Sequence, residues 1–231
     1  MLWQKLIGGD SGSSSLPLEF VGGAALSVAS TSTPSFSLTG LTGGVGTAPS
    51  AGDIVFVAVS FVNSTDQNIT CTTAGYTEIA DLYAFGTTNA QMAVYYKVLG
   101  SAETSVAFNT VTTTVATRAL IHVWRNPNAT PLDATSTTAT STTSGVPNAA
   151  SITTVTNNAV VIAFGVGSGS GFTALTVPSG MGNFFQNSST AAGAAVASAT
   201  VSTAGAYDPA AFGGGVASGT FCAVTVALRP Q

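Results

Sequence analysis

Charge is what this sequence has least of. Five Lys and Arg and nine Asp and Glu are all it carries in 231 residues, 6% of the chain against roughly a quarter in ordinary soluble domains. Five scattered basic residues and a net charge of −4 argue against nucleic-acid binding, which needs a basic stripe that releases counterions. Helix-forming Glu and Lys are scarce, so a bundle or coiled coil is not expected. No apolar run approaches the ~18 residues of a membrane span. Disorder is not expected either: 45% of residues are hydrophobic and mean hydropathy is +0.43, enough to bury a core.

Cysteine and histidine are nearly missing as well. Cys71 and Cys222 lie 151 positions apart, which is neither a zinc spacing nor a disulfide framework. Two separate buried thiols are expected in preference to a bridge, with Cys222 packing as a small apolar residue. The start, Met1 to Gly9, places Lys5 inside an apolar stretch shorter than the ~7–15-residue core of a signal peptide. That predicts an unprocessed chain made in a cytoplasm.

What the sequence does hold is Ala, Thr, Ser and Gly, which together exceed half the chain. β-branched residues dominate, and Gly, Pro, Asn and Ser punctuate them about every ten residues, which predicts strands. Asp53–Val62 and Ala159–Phe164 are apolar on both alternating faces, as central strands covered on both sides are. Gln91–Val98 sets Met92, Val94, Tyr96 and Val98 on one face and Gln91, Ala93, Tyr95 and Lys97 on the other. Phe221–Arg229 sets Cys222, Val224, Val226 and Leu228 against Phe221, Ala223, Thr225, Ala227 and Arg229. Arg118–Arg125, Tyr76–Ala84, Ser151–Thr156 and Ala194–Ser202 complete the expected strands. The fold class is therefore all-β: an antiparallel sandwich, jelly-roll-like, with an extended N-terminal arm. Residues 1–48 are read as arm and first strands, and 49–231 as one sandwich domain. A Thr/Ser-rich crossing is expected at 134–145, with an edge strand as the other reading of that segment. The Gly runs 165–171 and 213–215 are expected as loops.

Catalytic chemistry finds little support. His122, the single histidine, has no Gly-x-Ser-x-Gly elbow to serve, so a structural role is expected. The carboxylates are dispersed; Glu78 and Asp81, the nearest plausible pair, are expected on opposite faces of a strand. Trp3, Trp124, Tyr76, Tyr83, Tyr95, Tyr96 and Tyr207 could stack on sugars, but in a sandwich such residues belong more often to core or interface. No catalytic residue, cofactor or metal is expected. A surface this neutral suits packing against copies or neighbours, because no ion must lose its water.

Several landmarks follow one another in order: Gly52-Asp53 before an apolar strand, Gly75-Tyr76-Thr77-Glu78-Ile79, Tyr95-Tyr96-Lys97-Val98, Ala119 to Asn126, Pro178-Ser179-Gly180-Met181 and the closing Ala223 to Pro230. This order, over residues 45 to 231, resembles a β-sandwich module of tailed-bacteriophage virion proteins and some bacterial surface proteins. Tyr76 stands where that pattern commonly has Trp, and His122-Val123-Trp124 replaces its aromatic-Arg-Gly turn. The resemblance implies a non-enzymatic virion protein (capsid decoration, head fibre or tail-associated) with capsid or tail proteins as partners, self-association, and no nucleic-acid or membrane partner. A carbohydrate-binding or adhesion module contacting host glycan is the alternative. Leu2, Trp3, Leu6 and Ile7 are the expected partner-binding residues of the arm.

Overall fold

The computed structural model describes residues 16–29, 31–110 and 116–231. Its first half contributes β1 (Glu19–Val28), β2 (Ser35–Ser37), β3 (Ile54–Phe61), β4 (Thr70–Cys71), β5 (Thr77–Phe85), β6 (Asn89–Val98), β7 (Ser105–Asn109) and β8 (Thr117–Arg125). The second half contributes β9 (Pro127–Leu132), β10 (Thr137–Ser141), β11 (Ile152–Thr153), β12 (Ala159–Ser168), β13 (Thr173–Thr176), β14 (Gly182–Ser188), β15 (Ala192–Val201), β16 (Ala206–Tyr207), β17 (Gly213–Gly215) and β18 (Thr220–Pro230). Two large antiparallel sheets, β1-β8-β3-β6-β5 and β10-β18-β12-β15-β14, form the sandwich, with β9 beside β18.

Binary patterning accounts for the layering. Ile54, Phe56 and Ala58 of β3 face Val160, Ile162 and Phe164 of β12 and Cys222, Val224 and Val226 of β18 in the core between the sheets. The alternate residues Val55, Val57, Val59 and Phe61 turn outward and are buried under Phe36, Val106 and Phe108, which belong to a three-stranded layer, β2-β7-β4. On the far side Ala163, Ala195 and Ala223 pack beneath Phe172, Leu175 and Phe212. Each large sheet is covered twice, which is why its central strands carry no polar face.

The two halves repeat one plan. Setting β9 aside, the five remaining strands of each large sheet, taken in chain order, lie first–fifth–second–fourth–third. The connector strands match too: β2 and β4 both pair with β7, as β11 pairs with β16 and β13 with β17. Even the bulge recurs. One extra residue enters β5 between Glu78 and Ala80, and one enters β14 between Gly182 and Phe185. In register terms Ile54↔Trp124 corresponds to Val160↔Leu228, so Arg125 and Arg229 hold equivalent posts. A regular jelly roll divides eight strands four and four; in the first half β5 pairs with β6, not β4, and the division is five and three.

Three local expectations change. Residues 137–141 of the Thr/Ser-rich stretch are an edge strand, not a free crossing, because β18 offers an open ladder to them (Thr137↔Thr225 to Ser141↔Phe221). The Ser151–Thr156 strand shrinks to β11, since the Asp133 carboxylate captures the amides of Val155 and Thr156. The Gly runs are not wholly loops: β12 continues through Gly165 and Gly167 to Ser168, and Gly213–Gly215 pairs with β13. These glycines permit close layering. A Cβ on Gly167 would sit 2.1 Å from the carbonyl oxygen of Gly145 and one on Gly165 2.6 Å from Pro147. Gly167→Ala is expected to cost about 1–3 kcal/mol through overpacking, seen as a lower urea midpoint; an unchanged midpoint would show that the covering layer yields freely.

Cys222 lies in the inter-sheet core and Cys71 packs on the outer side of the first sheet. Both are free thiols, and burial pushes Cys222 up to about 12, which leaves it unreactive.

Candidate functional site

Most of the scarce charge holds the fold together. Asp53, 1% exposed, caps its own turn by accepting from the Ser50 amide at 2.8 Å. It also accepts from Arg125 Nε at 3.0 Å and Nη2 at 3.3 Å, while Arg125 Nη1 reaches Glu19 at 3.3 Å. This fork joins β8 to the turn before β3 and to the start of β1. In the second half Arg229 Nε donates to Asp133 at 3.2 Å. Lys97 pairs with Glu103, donates to the Ala74 carbonyl at 2.7 Å and lies 5.4 Å from the Tyr76 ring centre.

His122 is fully buried between the sheets. Its ring contacts Phe20 at 4.9 Å, Phe185 at 5.7 Å and Phe164 at 6.5 Å. Nε2 lies 2.8 Å from the Asn183 carbonyl oxygen, which only a protonated Nε2 can satisfy. Nδ1 has no hydrogen-bond partner among the described residues. Burial lowers its pKa to about 3, against a small upward push from that carbonyl. The residue is a neutral cross-sheet tie, with neither nucleophile nor orienting carboxylate bonded to it.

The acidic pair falls differently from its sequence expectation. The bulge between Glu78 and Ala80 sets Glu78 opposite Tyr95 and Asp81 opposite Ala93. The two carboxylates therefore share a face. Tyr95 Oη donates to Glu78 Oε2 at 2.7 Å, the Ile69 amide donates to Asp81 at 3.3 Å, and Gln91 Nε2 donates to Asp66 at 3.0 Å. Burial raises the Asp81 carboxyl to about 6, helped by the Glu78 and Asp66 charges and opposed by the hydrogen bonds from Ile69 and Gln91. Gln91 is fully buried and also accepts from the Gln67 amide at 3.1 Å. The cluster thus pins the 62–69 loop to the sheet edge. Among the described residues no group of three His, Cys, Asp or Glu is placed to hold a metal ion.

Among the described residues the candidate aromatic side chains do not gather into a platform. Trp124 and Tyr95 are buried on opposite faces of the first sheet, and Tyr76 and Tyr96 are half-buried. Tyr83 pairs with the exposed Phe85 at 6.3 Å, and Tyr207 sits on β16. Trp3 and the expected anchors Leu2, Leu6 and Ile7 lie outside the described residues.

The feature that the sequence did not announce is a cavity of about 670 Å³ at one end of the sandwich. Its lining residues include Asn63, Ser64, Thr88, Asn89 and Thr190 beside Val62 and Ala191, with no aromatic residue. A smaller cavity of about 170 Å³, sharing the walls Val62 and Ala191, is lined by Arg118. Comparison with protein-family models, curated proteins and solved structures finds no match.

Proposed function

We propose that the protein is a non-enzymatic structural component of a phage-like virion, of the capsid-decoration, head-fibre or tail-associated kind. The observation that carries this reading is how the reactive groups are used. His122 is buried and neutral, both thiols are raised by burial, and the carboxylates that hold Lys97, Arg125 and Arg229 are occupied by fold contacts. What remains outside is a neutral skin of Thr, Ser, Ala and Gly on a doubly covered sandwich, suited to static contact with copies or with capsid or tail subunits. Glycan binding by ring stacking finds no exposed aromatic groove among the described residues to support it.

Occupancy on particles tests the reading. Neutral contacts are expected to hold from about 0.1 to 1 M NaCl, a range over which the screening length falls from ~10 to ~3 Å. A chain lacking residues 1–15 should stay folded and fail to incorporate. Release by salt would shift attention to Lys5, Arg118, Arg125 and Arg229; absence of particle affinity at every salt concentration would end the proposal.

A further inference from the structure

Of the four cations among the described residues, Lys97, Arg125 and Arg229 each meet a carboxylate, and Arg118 meets none. It is only 8% exposed. Its Nη2 donates to Ser189 Oγ at 3.0 Å, while its Nε has no partner among the described residues. Opposite it in the β3–β8 register is Ser60, fully buried, whose Oγ also lacks a partner. Among the described residues only four buried side-chain polar atoms lack a partner, those of Ser60, Arg118, His122 and Trp124, and Ser60 and Arg118 are the two that lie side by side.

The internal repeat shows that the fold does not require them. The equivalent pair in the second half is Val166↔Cys222, both fully buried in the apolar inter-sheet core. A Val–Cys pair fills that place without leaving any polar group unmet, whereas an unpaired buried guanidinium is costly. Arg118 also lines the smaller end cavity, whose volume of about 170 Å³ suits one small anionic group. That cavity abuts the larger one, whose walls offer short hydroxyls and carboxamides.

We propose that this end of the sandwich binds an acidic polyhydroxylated ligand of the uronic-acid class. The ligand's carboxylate would pair with the Arg118 guanidinium, whose planar fork matches a carboxylate. Its hydroxyls would lie along Asn63, Ser64, Asn89 and Thr190 and be recognised by hydrogen bonds instead of stacking. No bond is made or broken. The inference does not depend on the particle reading, and the two fail separately, since this one is tested on the isolated protein.

Amide chemical shifts of the full chain, titrated with glucuronate, glucose and acetate, provide the test. Glucuronate is expected to give saturable shifts at Ser189, Thr190 and Ala191, with acetate at least ten-fold weaker and glucose without saturation. Arg118→Met should lose glucuronate at least ten-fold and melt no lower than the parent, because an unpaired buried charge has gone. Arg118→Lys keeps the charge without the fork and should weaken binding in the same direction, which preserves the test if the Met variant folds poorly. No saturation by glucuronate, equal affinity for acetate, or unchanged affinity in the foldable variant would each overturn the proposal.

Discussion

Acidification from pH 6.5 to pH 3 is expected to destabilise this protein by an amount on the order of 4 kcal/mol through His122 alone. The unfolded imidazole takes up a proton below about 6.5, whereas the folded one resists until about 3. The unfolded state therefore binds more protons across that window, and stability falls as pH falls. Each unit of separation is worth about 1.4 kcal/mol, and total stability is commonly only 5–15 kcal/mol, so this one residue can set the acid limit. Asp81 works the other way, since its raised carboxyl binds its proton earlier in the folded state. Asp81 is exposed to solvent, so screening makes its compensation weaker. His122→Gln keeps an N–H for the Asn183 carbonyl and cannot titrate. Unfolding free energies measured by denaturant at several pH values should show the variant's slope reduced by about one proton between pH 6 and 4. Parallel curves for parent and variant would assign the acid sensitivity elsewhere.

Asp133→Ala is expected to cost about 3–5 kcal/mol, the usual consequence of removing one partner of a buried pair. The Asp133 side chain is 0% exposed. It accepts from the Val155 amide at 2.7 Å, the Thr156 amide at 3.3 Å, Thr156 Oγ1 at 2.5 Å and Arg229 Nε at 3.2 Å. Its loss strands four donors and frees β11 from the end of β18. Arg229 is 29% exposed, so water recovers part of its share and the lower end of the range is the expectation. Asp133→Asn should cost less, because it retains an acceptor oxygen. Burial would raise the Asp133 carboxyl, yet the bonds from Thr156, Val155 and Arg229 outweigh it and hold the group below its ordinary value. Its contribution is therefore present above about pH 3.8 and is lost as pH falls through the lowered value. Thermal unfolding at pH 7 and pH 3 checks both points: the Asp133→Ala deficit should shrink at the lower pH, and an equal deficit would mean that the charge is irrelevant.

Strand identity was legible wherever side chains alternate. The division of Cys222, Val224, Val226 and Leu228 from Phe221 and Ala223 in β18 is the division between the inter-sheet and outer cores. The doubly apolar stretch at Ile54–Phe61 is buried on both faces. Glycine misled the reading at Gly165 and Gly167, where a residue that usually interrupts a strand instead lets another layer approach it. The Glu78–Asp81 convergence was hidden because alternation assumes an unbroken pleat, and the single-residue bulge between Glu78 and Ala80 resets its phase.

Composition and periodicity alone determined that the chain is all-β, poor in charge and built on strands buried on both faces, because those properties follow from which side chains can leave water. The duplication of the five-strand plan, the choice of β5 to pair with β6, the seating of His122 against Asn183 and the unpaired state of Arg118 were decided only by tertiary structure. They depend on which residues of distant strands come to lie opposite one another. Ser60 with Arg118 and Val166 with Cys222 occupy one post in two halves while sharing no chemistry, so local pattern carries no trace of their equivalence; the register of the sheets does.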